Sequence, residues 1–179
     1  KGKIEPHVAR RIRHIATTSR SDTANGGPIS VLDVGCGDGA LIDSLNESGI
    51  CSYQGIDISP EMIHLGRKRH PMQEFTVGSF PDDVPENERF DTILFNGSLQ
   101  FFKDTRQALV DACEKLKPDP GSRIVLSHVN GAKFVREECQ TSMGVAVRKM
   151  PNKVSLEDYA YYNLNMKVIY KTELLDTSN

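Results

Sequence analysis

Three glycines at alternate positions form the part of this sequence best suited to binding a nucleotide-like ligand. Gly35, Gly37 and Gly39 follow the short apolar stretch 29–34, and an amphipathic segment begins at Ala40. This order predicts a buried parallel strand, a tight turn and a helix whose N-terminus faces a ligand. Glycine adopts a positive φ without strain and lets a nucleoside lie against the backbone. We therefore expect this turn to bind a nucleoside-containing cofactor.

The glycine spacing alone leaves two cofactor classes open. The pattern Gly35-x-Gly37-x-x-Ala40 satisfies the dinucleotide fingerprint G-x-G-x-x-G/A, which would predict an NAD(P)-dependent oxidoreductase. Asp33 favours a different cofactor, because a carboxylate two residues before the first glycine can face an ammonium group but would repel a pyrophosphate. A cofactor with an amino-acid end is therefore the preferred prediction, and the dinucleotide is the alternative.

A second carboxylate stands near the end of the next predicted strand, over residues 51–58. Asp57 is expected beside the glycine turn, because the carboxyl ends of parallel strands meet at one edge of the sheet. A carboxylate in that place can accept hydrogen bonds from both ribose hydroxyls. Ile58 and Met62 follow it, and two interpretations stay open for them: packing on an adenine ring or a place in the ordinary apolar core.

The sequence from Val31 to Gly39, VLDVGCGDG, resembles motif I of the class I S-adenosylmethionine-dependent methyltransferases. Leu116-Lys117-Pro118-x-x-Gly121 is similar to the turn before the fifth strand of that family. The resemblance implies that S-adenosylmethionine is the methyl donor and S-adenosylhomocysteine the product. It further implies that the turn, with Cys36, lies against the methionine part of the cofactor and that Asp33 lies near its ammonium group.

Two later segments match places where this family contacts its cofactor. Gly78-Ser79-Phe80 stands where many members carry an acid that accepts from the adenine amino group, so Ser79, the backbone or Phe80 is expected to make that contact. Asn96-Gly97-Ser98 follows the fourth predicted strand and matches motif IV, which faces both cofactor and substrate. It lacks the Pro-Pro-aromatic run of enzymes that methylate nucleic-acid bases, so the predicted acceptor is a small molecule.

No obvious general base follows the fourth strand, because Phe101 aligns where several small-molecule methyltransferases place a histidine. Methyl transfer from a sulfonium is an in-line displacement, and orientation and desolvation can supply much of its catalysis. Asn96 is expected to position the reactants. If a base is needed, His128 is the candidate, because it follows the fifth predicted strand at the same edge. A packing role for this histidine stays open.

The alternation of strands and helices predicts a Rossmann-like, doubly wound, mostly parallel sheet with helices on both faces. A single domain over residues 1–179 is expected, with an N-terminal helix inside residues 1–20. The predicted helices cover residues 5–18, 39–48 and about 104–116, and a further helix begins at Ser59-Pro60-Glu61; the predicted strands cover 29–34, 51–58, 73–77, 90–95 and 123–127.

Residues 129–165 are predicted to form a cap over the substrate, with Tyr159, Tyr161 and Tyr162 as aromatic residues that could close over the site. Residues 166–171 are predicted to form a sixth strand. The family's sheet ends with a seventh, antiparallel strand, and no stretch of this sequence matches it.

The composition of the chain limits the classes of partner that we expect it to bind. The formal net charge is −2, which argues against affinity for nucleic acid. No apolar run approaches membrane-spanning length. The four cysteines show no C-x-x-C spacing and suit a reducing compartment such as the cytoplasm, although the sequence begins at Lys1 and says nothing of upstream targeting. No metal site is expected. A non-catalytic, methyltransferase-like partner subunit stays open as a further alternative.

Overall fold

The computed structural model describes residues 6–19 and 28–128, and these contain a five-stranded parallel sheet. The strand order is β3-β2-β1-β4-β5, so the chain reverses its direction of progress between β1 and β4. Such a switch point opens a crevice at the carboxyl edge of a parallel sheet. The strands are β1 (Ile29–Val34), β2 (Ile50–Asp57), β3 (Glu74–Val77), β4 (Thr92–Asn96) and β5 (Arg123–Ser127).

Four helices cover the sheet: α1 (Pro6–Ser19), α2 (Ile42–Glu47), α3 (Pro60–Arg69) and α4 (Thr105–Glu114). Residues on α1, α2 and α3 share one core cluster with alternate sheet residues such as Val31 and Leu94. Residues on α4 share a second cluster with the intervening sheet residues, such as Leu32 and Ile93. Because neighbouring residues of a strand point to opposite faces, the two clusters are the two faces of one sheet. The predicted doubly wound architecture is confirmed.

Helix starts follow the capping signals in the sequence. The Ser59 hydroxyl accepts the backbone N–H of Met62 at 3.2 Å, with Pro60 at the first helical position of α3. Asp104 caps α4 by accepting the backbone N–H groups of Arg106 and Gln107. These caps fix where the two helices leave the carboxyl edge of the sheet.

Two predicted boundaries were wrong. The helix expected over residues 39–48 is α-helical only from Ile42, because Gly39 has a φ of +75° and residues 37–41 form turns. The fourth strand begins at Thr92 rather than Phe90, which makes an isolated bridge to Leu116. The sequence pattern also missed the short 3₁₀ helix Leu99–Phe101 that follows β4.

At the amino end of the sheet, hydrogen bonds to one buried carboxylate hold neighbouring segments together. Asp91 accepts the backbone N–H and the hydroxyl of Ser30, each at 2.8 Å, and the Lys117 ammonium at 2.7 Å. Burial alone would raise the pKa of Asp91, but the hydrogen bonds from Lys117 and Ser30 lower it below 3.8. Asp91 thereby joins the beginnings of β1 and β4 to the turn before β5.

Residues 78–91 carry the chain from β3 across to β4, and a buried lysine holds this crossover. Lys115, at the C-terminal end of α4, donates to the carbonyl oxygens of Val84, Pro85 and Glu86 at 3.2, 2.8 and 3.4 Å. Phe80 and Val84 of the same crossover enter the core beneath α4. The crossover is therefore packed on the sheet and fixed to α4.

The cap over 129–165, its three tyrosines and the sixth strand lie outside the described residues and stay predictions. Of the helices within 6–19 and 28–128, none is long and apolar enough to cross a membrane.

Candidate functional site

The glycine turn is held by backbone hydrogen bonds at the end of β1. The N–H groups of Gly35 and Cys36 both donate to the carbonyl oxygen of Ile56, at 2.8 and 3.2 Å. Gly35, Gly37 and Gly39 have φ values of +72°, +55° and +75°, which favour glycine over any other residue. The turn therefore has the conformation that its sequence predicts.

Gly35 also lets β1 and β4 approach at the switch point. A Cβ atom on Gly35 would lie 2.4 Å from Cβ of Ser98, closer than real side chains come. The Ser98 hydroxyl is buried and donates to the carbonyl oxygen of Val34. Ser98 was predicted to contact the cofactor, and the structure gives its hydroxyl a partner within the protein.

Asp57 joins the glycine turn to the start of α3. One oxygen of its carboxylate accepts the N–H of Gly37 at 2.8 Å, and the other accepts the N–H of Ser59 at 2.9 Å. The residue is half-buried at the end of β2. Because a carboxylate has about four acceptor positions, two remain for the hydroxyls of a ribose.

Asp33 is buried one residue before the end of β1, with 2% of its surface exposed. Its Oδ2 accepts the Tyr53 hydroxyl at 3.0 Å, whereas Oδ1 is buried and has no hydrogen-bond partner among the described residues. Burial raises the pKa of Asp33 to about 7, against the opposing hydrogen bond from Tyr53 and with a smaller contribution from Asp57. A buried acceptor of this kind fits an ammonium group.

Ile58 and Met62 lie beside Asp57 on the outside of the turn. Ile58 is 78% exposed, unusual for a large apolar residue that directly follows a strand. Met62 is half-buried, and its Cε would lie 3.2 Å from a Cβ atom on Gly37. Together they offer an apolar surface next to Asp57, where the sequence predicts the adenine ring.

The segment after β3 reaches the same edge. The N–H of Gly78 donates to the carbonyl oxygen of Asp57 at 3.0 Å, and the N–H of Ser79 donates to the Asp83 carboxylate at 2.8 Å. Phe80 is buried and makes edge-on contacts with the rings of Phe95 and Phe102. This placement does not support the prediction that the Phe80 ring contacts adenine, and an adenine contact by Ser79 or the backbone stays a prediction.

Asn96, Gly97 and His128 meet where β4 and β5 end. The Oδ1 atom of Asn96 accepts the Ser127 hydroxyl at 3.1 Å, and the N–H of Gly97 donates to the carbonyl oxygen of Ser127 at 2.8 Å. A Cβ atom on Gly97 would lie 3.1 and 3.2 Å from Cδ2 and Nε2 of His128. The imidazole thus packs against Gly97. Phe101, 49% exposed, follows on the 3₁₀ helix.

Comparisons with known proteins agree on the family to which a chain with this fold belongs. A family profile described as a methyltransferase domain matches residues 31–119. The ubiquinone biosynthesis O-methyltransferase of Xylella fastidiosa is 32% identical over 139 residues, which cover 72% of this chain and 55% of that protein. The mitochondrial ubiquinone biosynthesis O-methyltransferase of Candida albicans is 30% identical over 119 residues, 62% of this chain and 36% of the relative.

The chain belongs to the class I S-adenosylmethionine-dependent methyltransferases.

Solved structures show the same methyltransferase fold. The plantazolicin methyltransferase BpumL, in complex with S-adenosylhomocysteine, has a TM-score of 0.60 and 21% identity over 78% of this chain and 54% of that one. The N-methyltransferase NodS from Bradyrhizobium japonicum has a TM-score of 0.57 and 21% identity, covering 69% of this chain and 63% of NodS. The chain spans between about a third and three fifths of the length of the curated methyltransferases it matches.

Sequence reasoning about this methyltransferase missed Tyr53 and Asp83. Tyr53 was one residue of a predicted strand, and only the pairing of β1 with β2 brings its hydroxyl to Asp33. One signal for Tyr53 was present in the sequence. Gly55 interrupts a strand of otherwise larger residues, and a glycine in that place indicates that another group approaches the backbone closely. Asp83 falls four residues after Ser79, in a loop whose conformation no periodicity predicts.

Proposed function

We propose that this chain transfers a methyl group from S-adenosylmethionine to a small-molecule acceptor. The observation that carries the proposal is the convergence of three elements at the carboxyl edge of β1 and β2. N–H groups of the glycine turn donate to the Asp57 carboxylate and to the Ile56 carbonyl, and the buried Asp33 carboxylate lies on β1 directly before the turn. Family membership supports the choice of this cofactor over a dinucleotide.

Each residue of the convergence suits one part of the donor. Asp57 would accept the ribose hydroxyls, each charge-assisted bond contributing roughly 1.5–3 kcal/mol. Asp33 Oδ1 would accept from the ammonium group, and Ile58 with Met62 would cover the adenine. The sulfonium supplies an electrophilic methyl group with a good leaving group. The protein's contribution is then to hold the acceptor in line with the C–S bond and to exclude water.

The edge of β4 and β5 is the proposed place for the acceptor. Asn96 is the residue proposed to position it, and the exposed ring of Phe101 favours an acceptor with an apolar or aromatic surface. His128, packed on Gly97, is the proposed base for an acceptor that must lose a proton. Thiols and acidic hydroxyls would need it least, because they ionise readily near neutral pH.

Curated relatives support the acceptor class. The proteins of Candida albicans and Xylella fastidiosa are named ubiquinone biosynthesis O-methyltransferases, and that of Tropheryma whipplei is named a demethylmenaquinone methyltransferase. A phenolic hydroxyl or an activated ring carbon of a small aromatic molecule is therefore the first acceptor to test. Cys36 and Cys113 are free thiols, and a reducing compartment is part of the proposal.

Calorimetry separates the proposed function from its alternatives. S-adenosylmethionine and S-adenosylhomocysteine should bind the full chain, and NAD should not. Asp57→Ala should weaken S-adenosylhomocysteine binding at least about tenfold, because the loss of two charge-assisted hydrogen bonds exceeds 1.4 kcal/mol. Glu114→Gln, an exposed change on α4, is the matched control and should bind like the wild type.

Three outcomes would contradict the proposal. Absence of heat with either sulfur compound removes the donor site, and binding of NAD restores the oxidoreductase alternative. Tight donor binding without turnover on any phenol, thiol or amine in a screen of small aromatic acceptors favours the non-catalytic partner subunit.

A further inference from the structure

A buried cluster of polar and titratable side chains lies beneath the glycine turn. It consists of Asp33, Cys36 and Tyr53, which are 2%, 8% and 3% exposed. The pairing of β1 with β2 sets Tyr53 beside Val31 and Gly55 beside Asp33, on the same face of the sheet. Because Gly55 has no side chain, the phenol of Tyr53 can extend along the sheet to reach Asp33.

The space over Gly55 is filled by these groups. A Cβ atom on Gly55 would lie 2.6 Å from Cys36 Sγ and 3.0 Å from Tyr53 Oη. The Tyr53 ring is fixed from its other side by Phe75, with ring centroids 5.9 Å apart and an interplanar angle of 61°. The hydroxyl is thus aimed at Asp33 Oδ2, to which it donates at 3.0 Å.

This arrangement engages one carboxylate oxygen of Asp33 and leaves the other available. Oδ1 is buried and has no hydrogen-bond partner among the described residues. An ionised carboxylate buried with a single neutral donor is unfavourable, and a cation at Oδ1 would reverse that balance. A ligand with an ammonium group should therefore bind best to the ionised carboxylate.

We propose that Tyr53 is a positioning residue of the donor site, which fixes Asp33 so that cofactor binding is coupled to release of a proton from its carboxyl group. The proposal rests on the proposed function. On binding, the O–H bond of the protonated Asp33 breaks, the proton passes to solvent, and the carboxylate accepts a hydrogen bond from the ammonium group, which keeps its own protons.

The other titratable groups near Asp33 do not provide a competing cation. From the same layer these are the Tyr53 hydroxyl, the Cys36 thiol and, at the end of β2, Asp57. β4 contributes the apolar Leu94 to that face. The helices packed there carry titratable groups that are at least partly exposed: Arg11, His14, Asp43, His64 and His70.

The test is the pH dependence of S-adenosylhomocysteine binding to the full chain, measured by calorimetry in buffers of different ionisation enthalpy. For the wild type, affinity should rise about tenfold per pH unit up to about pH 7 and then level. The binding should release about one proton at pH 6 and few at pH 8.5. The pKa of Asp33, raised by burial to about 7, sets the pH at which the affinity stops rising, which is the break in the profile.

Tyr53→Phe keeps the ring and removes the hydroxyl. Affinity at pH 6 should fall about tenfold, and the break in the profile should move to higher pH, because the ionised carboxylate loses its donor. A purely structural role of Tyr53 would not move the break. Asp33→Asn should bind weakly with no pH dependence in this range, and it serves as the second variant if Tyr53→Phe does not fold. Glu114→Gln should retain the wild-type profile.

The possible failures are distinguishable. Wild-type binding that does not vary with pH, a Tyr53→Phe profile that superimposes on the wild type, or a pH-dependent Asp33→Asn would each overturn the role of Tyr53 and leave the proposed function standing. Wild-type protein that binds no S-adenosylhomocysteine at any pH would overturn the donor site itself.

Discussion

Two buried aspartates on the central part of the sheet have opposite environments. Asp91, at the amino end of β4, accepts hydrogen bonds from Ser30 and from the Lys117 ammonium, and its pKa is lowered. Asp33, near the carboxyl end of β1, has one neutral donor, a buried oxygen without a hydrogen-bond partner in the described part of the chain, and a pKa raised to about 7. Both are at most 3% exposed.

The contrast separates a carboxylate that stabilises the fold from one that is held ready for a ligand. Burial costs the same kind of desolvation at both places, so the difference lies in what the protein itself supplies in return. At Asp91 the chain provides the cation. At Asp33 it provides only a phenol, and we infer that the cofactor supplies the cation.

Removal of the Asp91 carboxylate should give the largest loss of stability. Asp91→Ala leaves the Lys117 ammonium and the Ser30 hydroxyl without their shared acceptor, so the free energy of unfolding at pH 7 should fall by about 3 kcal/mol. Urea denaturation measures this change. S-adenosylhomocysteine should bind the folded variant as it binds the wild type, and a large loss of affinity would show that the two ends of the sheet are not independent.

Asp33→Asn should instead increase the free energy of unfolding at neutral and alkaline pH. The folded state of the wild type keeps the Asp33 proton up to about pH 7, while the unfolded chain loses it near pH 4. The wild type therefore loses stability as the pH rises between these values, and the loss is constant above pH 7. Between pH 4 and pH 8 the variant should gain about 4 kcal/mol of stability relative to the wild type, because each unit of pKa difference corresponds to about 1.4 kcal/mol. A destabilised variant at pH 8 would contradict the contrast.

Lys117→Met tests whether the cation alone makes the difference. Asp91 has a lowered pKa, so its contribution to stability is present above about pH 4 and is lost as the pH falls through the folded-state value. Because the Lys117 side chain is 39% exposed, solvent screens the pair and the expected loss at pH 7 is about 1 kcal/mol. Thermal unfolding measured from pH 7 downward should show this loss in full at pH 7 and a smaller loss as the pH falls below about 4.

The ion pair between Arg69 and Asp38 should contribute least. Asp38 belongs to the glycine turn, but the side chains of the pair are 42% and 29% exposed. Arg69→Gln should change the free energy of unfolding by less than about 0.5 kcal/mol, and only at low salt. Denaturation at two ionic strengths would reveal a larger contribution, which would mean that the turn depends on this pair.

Local signals in the sequence were sufficient to predict the sheet and the placement of half of the candidate site, whose residue roles stay predictions. Strand β1 and the cap at Ser59 were predicted because apolar runs and capping residues act over a few neighbours. Asp33 and Asp57 were predicted because both end strands that a parallel sheet brings to one edge.

What depends on pairing between distant segments was not predictable. The hydroxyl of Tyr53 reaches Asp33 only through the register of β1 with β2, and the late start of α2 follows from the positive φ of Gly39. Phe80 was assigned to the ligand, yet tertiary packing places its ring in the core, because an aromatic residue after a strand suits either environment. The site roles of Asn96 and His128 stay predictions, as does the substrate cap beyond residue 128.

Lys115 affects how readily residues 78–91 unfold locally. In the described part of the chain, residues 78–91 are the only covalent link between the half-sheet β3-β2-β1 and the half-sheet β4-β5. Three successive carbonyls of that link share one buried ammonium at the end of α4. Hydrogen exchange in this stretch should therefore follow global unfolding rather than the rapid fluctuations typical of a polar loop. The connection between the two half-sheets would then persist as long as the native fold itself.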